Sequence, residues 1–409
     1  MSPIAHASTL PPAADSCGEA ATLRGPIRTR RRTLAVGAER QSSICLYHVD
    51  QAYCPETLGD LSHPAVYRAY RRQIEQYIRL RAFKPDIVAH DLHPLYLSTQ
   101  YARELAAMGA VAVGVQHHHA HIVSVMAEHR LARPVIGVCC DGLGFGDDGA
   151  AWGCEVLYAT LAAYTRIGHL DYFPLLGGDA AATETWRSAY ALVRQSMEHE
   201  QCGLIRAGIP REALACFDQV PAEQLEVLER LWASTLNAPQ TSSLGRIFDA
   251  ISFLLGLCDR NDRPAQAAIA LEQCALPGPA EPYPYETTVG PEGIRMSLSA
   301  TIRSILRDHA HRQNRGRISA RFHETVARML VATTLIAAER SGVTAVVLSG
   351  GCFANARLRT RTTELLERRR LKVYSPQLVP IGDAGIALGQ AVVAAAKLEG
   401  ESSTMDGDE

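Results

Sequence analysis

Residues Val111–Leu157 read VAVGVQHHHAHIVSVMAEHRLARPVIGVCCDGLGFGDDGAAWGCEVL, and the rest of the chain is organised around them. Val111–Val115 is a short apolar β-type run. From about His117 to Arg130 the spacing is helical, with Ile122, Val125 and Met126 on one side. Val135–Cys140 follows as a buried strand that ends in Asp141 and the turn DGLGFG.

Five of the fifteen histidines fall within thirteen residues of this stretch, a density that asks for a chemical explanation. On a helix His117 and His121 are four apart and project from one face, so both imidazoles can reach one ion. A third ligand must come from elsewhere. Asp141, at the strand end, is the nearest candidate, and Asp383, in the loop VPIGDAGIALGQ, is the second. Two His nitrogens with one or two carboxylates suit zinc or iron(II), with positions left open for substrate or water. A lone His more often hydrogen-bonds within a helix layer, but H-x3-H followed by a strand-terminal Asp favours a metal. The zincin pattern H-E-x-x-H does not apply, because the position after the first His is His118. His118 and His119, between the two ligands, are candidates to support a ligand or to contact the reacting group.

The 409 residues allow two domains and a large core. A net charge of −2 leaves no electrostatic footprint for nucleic acid. Eleven cysteines without a C-x-x-C pair point to buried thiols in a reducing cytosol. No apolar run approaches the length of a membrane span. The opening segment to Arg32 reads as a disordered basic leader, and EGESSTMDGDE, residues 399–409, as a disordered acidic tail.

In order along the chain, a β-type run from Thr33 to Leu46 with Gly37 suits a hairpin, and Gly59–Leu80 has a helical period. The strand Ile87–Ala89 precedes a polar tip of His90, Asp91 and His93. Such a strand end is where α/β sites gather, though Asp91 also suits a helix cap. Gly177, Gly178 and Asp179 open a helix whose amides could hold a phosphate, or form an ordinary glycine turn with Asp as cap. Residues 186–275 are mainly helical and contain SSLGR, where Arg246 either steers an anionic substrate or is a solvated charge. The strand Ala345–Leu348 feeds Ser349, Gly350 and Gly351, a phosphate cradle on physical grounds, with Asn355 one turn later in reach of a nucleotide's base or sugar. This unit duplicates the strand-then-glycine run at Gly142, which points to a nucleotide held in an interdomain cleft.

The segments VAHDLHPLYLSTQYA, VQHHHAHIVSVMAEH, CDGLGFGDDGAAWGCEVL, GGDAAATETWR, SSLGRIFDAISFLLGL, LSGGCFANARL and IGDAGIALGQA resemble, in that order, the C-terminal half of the HypF family, the carbamoyltransferases of nickel–iron hydrogenase maturation. The resemblance implies a two-lobed α/β fold of the actin/Hsp70-like ATPase class, built of two RNase H-like domains. It implies lobes at 33–134 and 135–385, with a helical insertion near 186–275 and a helix at 386–398 completing the first lobe. The metal ligands it implies are His117, His121, Asp141 and Asp383; its adenylate-binding glycine turns map onto Gly178, Asp179, Gly350, Gly351 and Asn355. The implied reaction carries a carbamoyl group from carbamoyl-adenylate, made with ATP and magnesium, to the C-terminal cysteine of HypE. Asp91, His118, His119 and Arg246 remain candidates for catalytic work.

Full-length members carry acylphosphatase, zinc-binding and YrdC-like modules ahead of this region, and the chain has only its leader there. A separate YrdC-type or full-length HypF protein is then expected to supply the adenylate, and the leader with its own Met1 favours a natural short form. Two rivals share the fold: a small-molecule O-carbamoyltransferase, and a tRNA threonylcarbamoyl transferase, which should bring basic patches. A non-catalytic nucleotide-binding maturation factor would need no metal ligands.

Overall fold

The computed structural model describes residues 21–80, 82–197 and 211–405. The chain enters on β1 (Ala21–Ala35) and turns back antiparallel on β2 (Cys45–Cys54), with Thr33 facing Tyr47 and Ala35 facing Cys45. The turn needs Gly37: its φ is 71°, and a Cβ there would lie 2.3 Å from the Ser43 carbonyl. β1 begins at Ala21, so residues 21–32 are strand where the basic composition suggested a leader. Their alternation explains the difference, because Arg24, Arg28 and Arg30 point to solvent while Thr29 is buried, and β2 pairs with the backbone.

α1 (Pro64–Leu80) buries Tyr70, Ile74 and Tyr77, and β3 (Ile87–Asp91) is buried throughout, two residues longer than its apolar run predicts. α2 (Leu97–Ala106), β4 (Val111–Val115) and α3 (His117–Glu128) follow. The sheet order is β2-β1-β3-β4, with β3 parallel to both β1 and β4.

The second sheet begins with β5 (Val135–Phe145), β6 (Ala151–Ala159) and β7 (Tyr164–Leu170). Asp141–Gly144 therefore lies in a strand and not in a turn. The close approach here is made by Gly245, where a Cβ would meet the Gly142 Cα at 3.1 Å. After β8 (Phe173–Pro174) come α4 (Ala180–Thr183), α5 (Thr185–Ser196), α6 (Ala222–Ser234), β9 (Gln240–Thr241), α7 (Leu244–Leu254) and α8 (Gln266–Cys274). The hairpin β10 (Glu286–Gly290) and β11 (Gly293–Ser297) precedes α9 (Ser299–Ala310) and α10 (Arg315–Ser341). β12 (Ala345–Ser349), α11 (Ala356–Glu367) and β13 (Lys372–Tyr374) close this part. The path is β10-β11-β7-β6-β5-β12-β13, with β12 parallel to β5 and β13.

In both sheets the first strand has its successor on one side and later, parallel strands on the other. This is the RNase H-like plan, and its repetition makes the fold the actin/Hsp70-like ATPase class. Each sheet has its own core, one drawn from residues 34–105 and one from residues 136–371.

The chain ends on α12 (Ile386–Met405), which packs on α3 and β1. Residues up to Pro134, Ala159–Tyr164 and those from Ser375 onward form one compact unit; Val135–Tyr158 and Thr165–Tyr374 form the other. The return to the first unit thus starts at Ser375, earlier than the expected 386, because side chains at the end of α3 hold residues 375–379. α12 also runs to Met405, so the expected tail at 399–405 is helical. Residues 1–20 and 406–409 of the expected leader and tail lie outside the described residues.

Candidate metal centre

Gln116 caps α3: its Oε1 accepts the His119 N–H at 2.8 Å, so the helix starts at His117 and the H-x3-H pair lies one turn apart on its first face. His117 Nδ1 is 2.7 Å from Asp91 Oδ2, both side chains at 0% exposure. The other oxygen of Asp91 accepts the His93 N–H at 2.9 Å, which fixes the carboxylate at the end of β3. A buried carboxylate on Nδ1 holds a proton there and leaves the Nε2 lone pair for a ligand.

Nε2 of His117 lies 3.1 Å from Nε2 of His121, and each lies 3.4 Å from Asp383 Oδ1. Donors bound to one ion at about 2.0–2.2 Å stand roughly 3.0–3.5 Å apart at neighbouring corners of an octahedron or tetrahedron. The triangle has that size, and two imidazoles with a carboxylate form a donor set for zinc or iron(II).

Asp383 reaches the histidines through helix packing. Gly382 takes φ 85°, Asp383–Gly385 form a 3-10 turn, and α12 follows directly. α12 then passes α3 so closely that a Cβ at Gly389 would lie 1.8 Å from the Ala120 carbonyl oxygen. Ser124 Oγ donates to the Gly385 carbonyl at 2.8 Å. At the far end of α3, Glu128 accepts the N–H groups of Gln377, Leu378 and Val379 at 2.9, 2.9 and 3.1 Å. Sequence reasoning passed over Ser124, Glu128 and Gly389. The one available signal was a Glu closing a helix, where the backbone dipole disfavours a negative charge.

The remaining candidates are placed as follows. His118 is buried with its ring edge-on to His117, centroids 5.5 Å apart. His119 turns elsewhere: its Nε2 is 2.8 Å from the Thr160 carbonyl and its ring stands 4.9 Å from Tyr164. Burial pushes the His119 imidazole down to about 4, with the Thr160 bond opposing and Lys397 reinforcing the shift. It is neutral at ordinary pH, unsuited to exchanging a proton there.

In the second unit Asp141 Oδ1 accepts the Gly351 N–H at 3.0 Å. Gly350 takes φ 90°, and a Cβ there would meet the Cys140 carbonyl at 2.4 Å, so the Ser349–Gly351 turn needs glycine. Asn355 caps α11 by accepting the Leu358 N–H at 2.8 Å, and its Nδ2 lies 2.9 Å from His323 Nε2. Those bonds give it a structural use that the sequence did not show. Arg246 pairs with Asp249 at 2.7 Å, side chains 11% and 1% exposed, so it is not a solvated charge. Gly177 and Gly178 have φ of 93° and 59°, and Asp179 precedes only the four-residue α4 without capping it through its side chain. Burial, with Asp141 nearby, pushes the Cys352 thiol well up.

A buried ion pair also escaped the sequence reading. Glu155 Oε2 accepts Arg166 Nε at 2.7 Å, while Glu155 Oε1 accepts the Ser242 hydroxyl beside the start of α7. The Arg166 guanidinium lies 4.0 Å over the Trp152 ring.

Among the described residues no helix is long and apolar enough to cross a membrane. A family model described as "Carbamoyltransferase, Kae1-like Domain, second subdomain" matches residues 137–390, and one described as "HypF Kae1-like domain" matches residues 28–128. The chain is 37% identical to carbamoyltransferase HypF2 of Cupriavidus necator over 90% of its own length and 47% of that protein. It is 39% identical to a carbamoyltransferase HypF homolog of the same organism, over 88% of this chain and 91% of the homolog. A solved structure of full-length HypF in its phosphate- and nucleotide-bound form superposes with a TM-score of 0.86 at 34% identity, covering 93% of this chain and 48% of that one. The chain thus spans about half the length of HypF2 and of full-length HypF, and nearly all of the shorter homolog. On these matches to both family models, the chain belongs to the HypF family of carbamoyltransferases.

Proposed function

We propose that this chain is a carbamoyltransferase of hydrogenase maturation, moving a carbamoyl group from carbamoyl-adenylate to the C-terminal cysteine thiolate of HypE in the cytoplasm, towards the cyanide ligands of the hydrogenase iron. The observation that carries the reading is the triangle of His117 Nε2, His121 Nε2 and Asp383 Oδ1 with Asp91 behind it. These residues would hold one divalent ion, zinc or iron; the family resemblance adds Asp141 as a further ligand. Bound there, the ion would stabilise charge on the carbamoyl oxygen as the thiolate attacks.

The protein's own groups do the rest. Asp91 keeps the His117 proton on Nδ1, so the ligand nitrogen stays unprotonated. The Ser349–Gly351 turn, whose glycines let a ligand approach the backbone closely, would lie against the phosphate of the leaving adenylate, with magnesium accompanying ATP earlier. The nucleophile in this reading is the partner's cysteine; desolvation, with Asp141 nearby, pushes the Cys352 thiol well up, which counts against Cys352 as a rival nucleophile.

The test is intact mass of the cysteine-ending HypE tail after incubation with the protein, ATP and carbamoyl phosphate, with and without a YrdC-type protein. Carbamoylation only when the second protein is present supports a transferase that receives its adenylate. Carbamoylation by the chain alone would show that it makes its own adenylate, and none under either condition refutes the reading.

A further inference from the structure

Between Tyr374 and Asp383 the chain has no strand or helix, and little of it is buried. Leu378 is 68% exposed, and among residues 375–380 only Val379 is buried. Apolar packing therefore does not fix the path of this segment, yet its end must deliver Asp383 to within 3.4 Å of two histidine nitrogens.

What holds the segment is one carboxylate. Glu128 is 3% exposed, its Oε1 accepts the N–H groups of both Gln377 and Leu378 at 2.9 Å, and its Oε2 accepts that of Val379 at 3.1 Å. Bonds from backbone N–H to an ionised carboxylate are roughly twice as strong as neutral ones. His129 adds a fourth tie, its Nε2 lying 2.9 Å from the Ser375 carbonyl. A carboxylate at the C-terminal end of a helix opposes the helix dipole, an unfavourable placement. Glu128 is the last residue of α3, so it sits in that placement.

The same helix carries His117 and His121 in its first turns. We propose that Glu128 is a positioning residue for the metal site: α3 presents two ligands at one end and, through Glu128 at the other, sets the approach of the loop that presents the third. Ser124, midway, fixes the exit of that loop through the Gly385 carbonyl. The loop is thereby held at both of its ends by one rigid rod. This inference rests on the reading of His117, His121 and Asp383 as ligands.

The experiment measures zinc(II) affinity by chelator competition, and the cobalt(II) absorption spectrum, for the wild type, H121A, D383A, E128A and E128Q, and for E128A combined with D383A. Expected are a loss of zinc affinity of about tenfold or more in E128A, a smaller loss in E128Q, and a cobalt spectrum in E128A moved towards that of D383A. On the D383A background, E128A should cost nothing further, because its effect runs through the lost ligand. Circular dichroism confirms folding, and E128Q, which keeps one acceptor oxygen, serves if E128A does not fold. Wild-type affinity in E128A and E128Q, or an equal loss with and without Asp383, overturns the proposal. Wild-type affinity in H121A and D383A instead sinks the ligand reading itself, and the proposal with it.

Discussion

Gly389→Ala tests the helix contact on which the proposed metal site depends. A Cβ at this position would stand 1.8 Å from the Ala120 oxygen, 2.7 Å from the Ala120 carbonyl carbon and 2.9 Å from the Ser124 nitrogen. Ordinary contact starts near 3.4 Å, so α12 would have to move by about 1.5 Å relative to α3. The obstacles are main-chain atoms of a helix and cannot swing aside as a side chain would. Overpacking costs about 1–3 kcal/mol where neighbours can adjust, and backbone obstruction puts this site at the upper end or beyond. At roughly 2–4 °C per kcal/mol, the midpoint of the affected unit should fall by about 6–12 °C. Because Asp383 lies six residues before Gly389, the shift should also weaken zinc binding. Differential scanning calorimetry with and without zinc gives both quantities, with Gly290→Ala as the control, since a Cβ there would meet only one atom, at 3.8 Å. A G389A protein that melts within about 1 °C of the wild type and binds zinc equally would refute the reasoning.

Asp91→Asn should lower zinc affinity by roughly 10–100-fold, since an amide can donate to His117 Nδ1 and drive the proton onto Nε2; unchanged affinity would show that Asp91 does not set the tautomer. Burial lowers both His119 and His323 to about 4, so each is neutral when folded and takes a proton on unfolding below its ordinary value of 6.5. Stability should therefore fall as pH drops from about 6.5 to about 4, by up to about 3 kcal/mol per histidine. Urea unfolding at several pH values should show a shallower fall for His323→Gln, and an identical profile would contradict the assignment. Arg166→Met leaves Glu155 buried without its cation and should cost about 3–5 kcal/mol, read from the unfolding midpoint; a loss below about 1 kcal/mol would mean that the pair is idle.

The histidine helix could be read from sequence because its evidence is local: a spacing of four and an apolar face. His117, His121 and Asp383 were picked from the chain alone, and all three lie in one unit. What failed was whatever depended on a distant partner. DGLGFG looks like a turn until β6 lies beside it, and the basic segment at 21–32 looks unstructured until β2 pairs with it. Asp91 was legible as a polar strand end, but its bond to His117 joins residues 26 apart in sequence, a relation no spacing rule covers. Glu128 and Gly389 matter through contacts with segments far away in the chain, so neither role followed from residue type, and the only local hint was the misfit of a Glu at a helix end.

The chain begins its first unit before Pro134 and completes it only after Ser375. At a synthesis rate of about 5–20 residues per second, the gap amounts to roughly 10–50 s on the ribosome. Through that interval His117 and His121 exist without Asp383, and the face of α3 around Ala120 has no α12 to cover it. The half started first is therefore the half finished last, while the second unit can form entirely in between. An ion that needs all three side chains can enter only once the chain has been made through Asp383 and α12, so the proposed metal site would be assembled after the second unit, not before it.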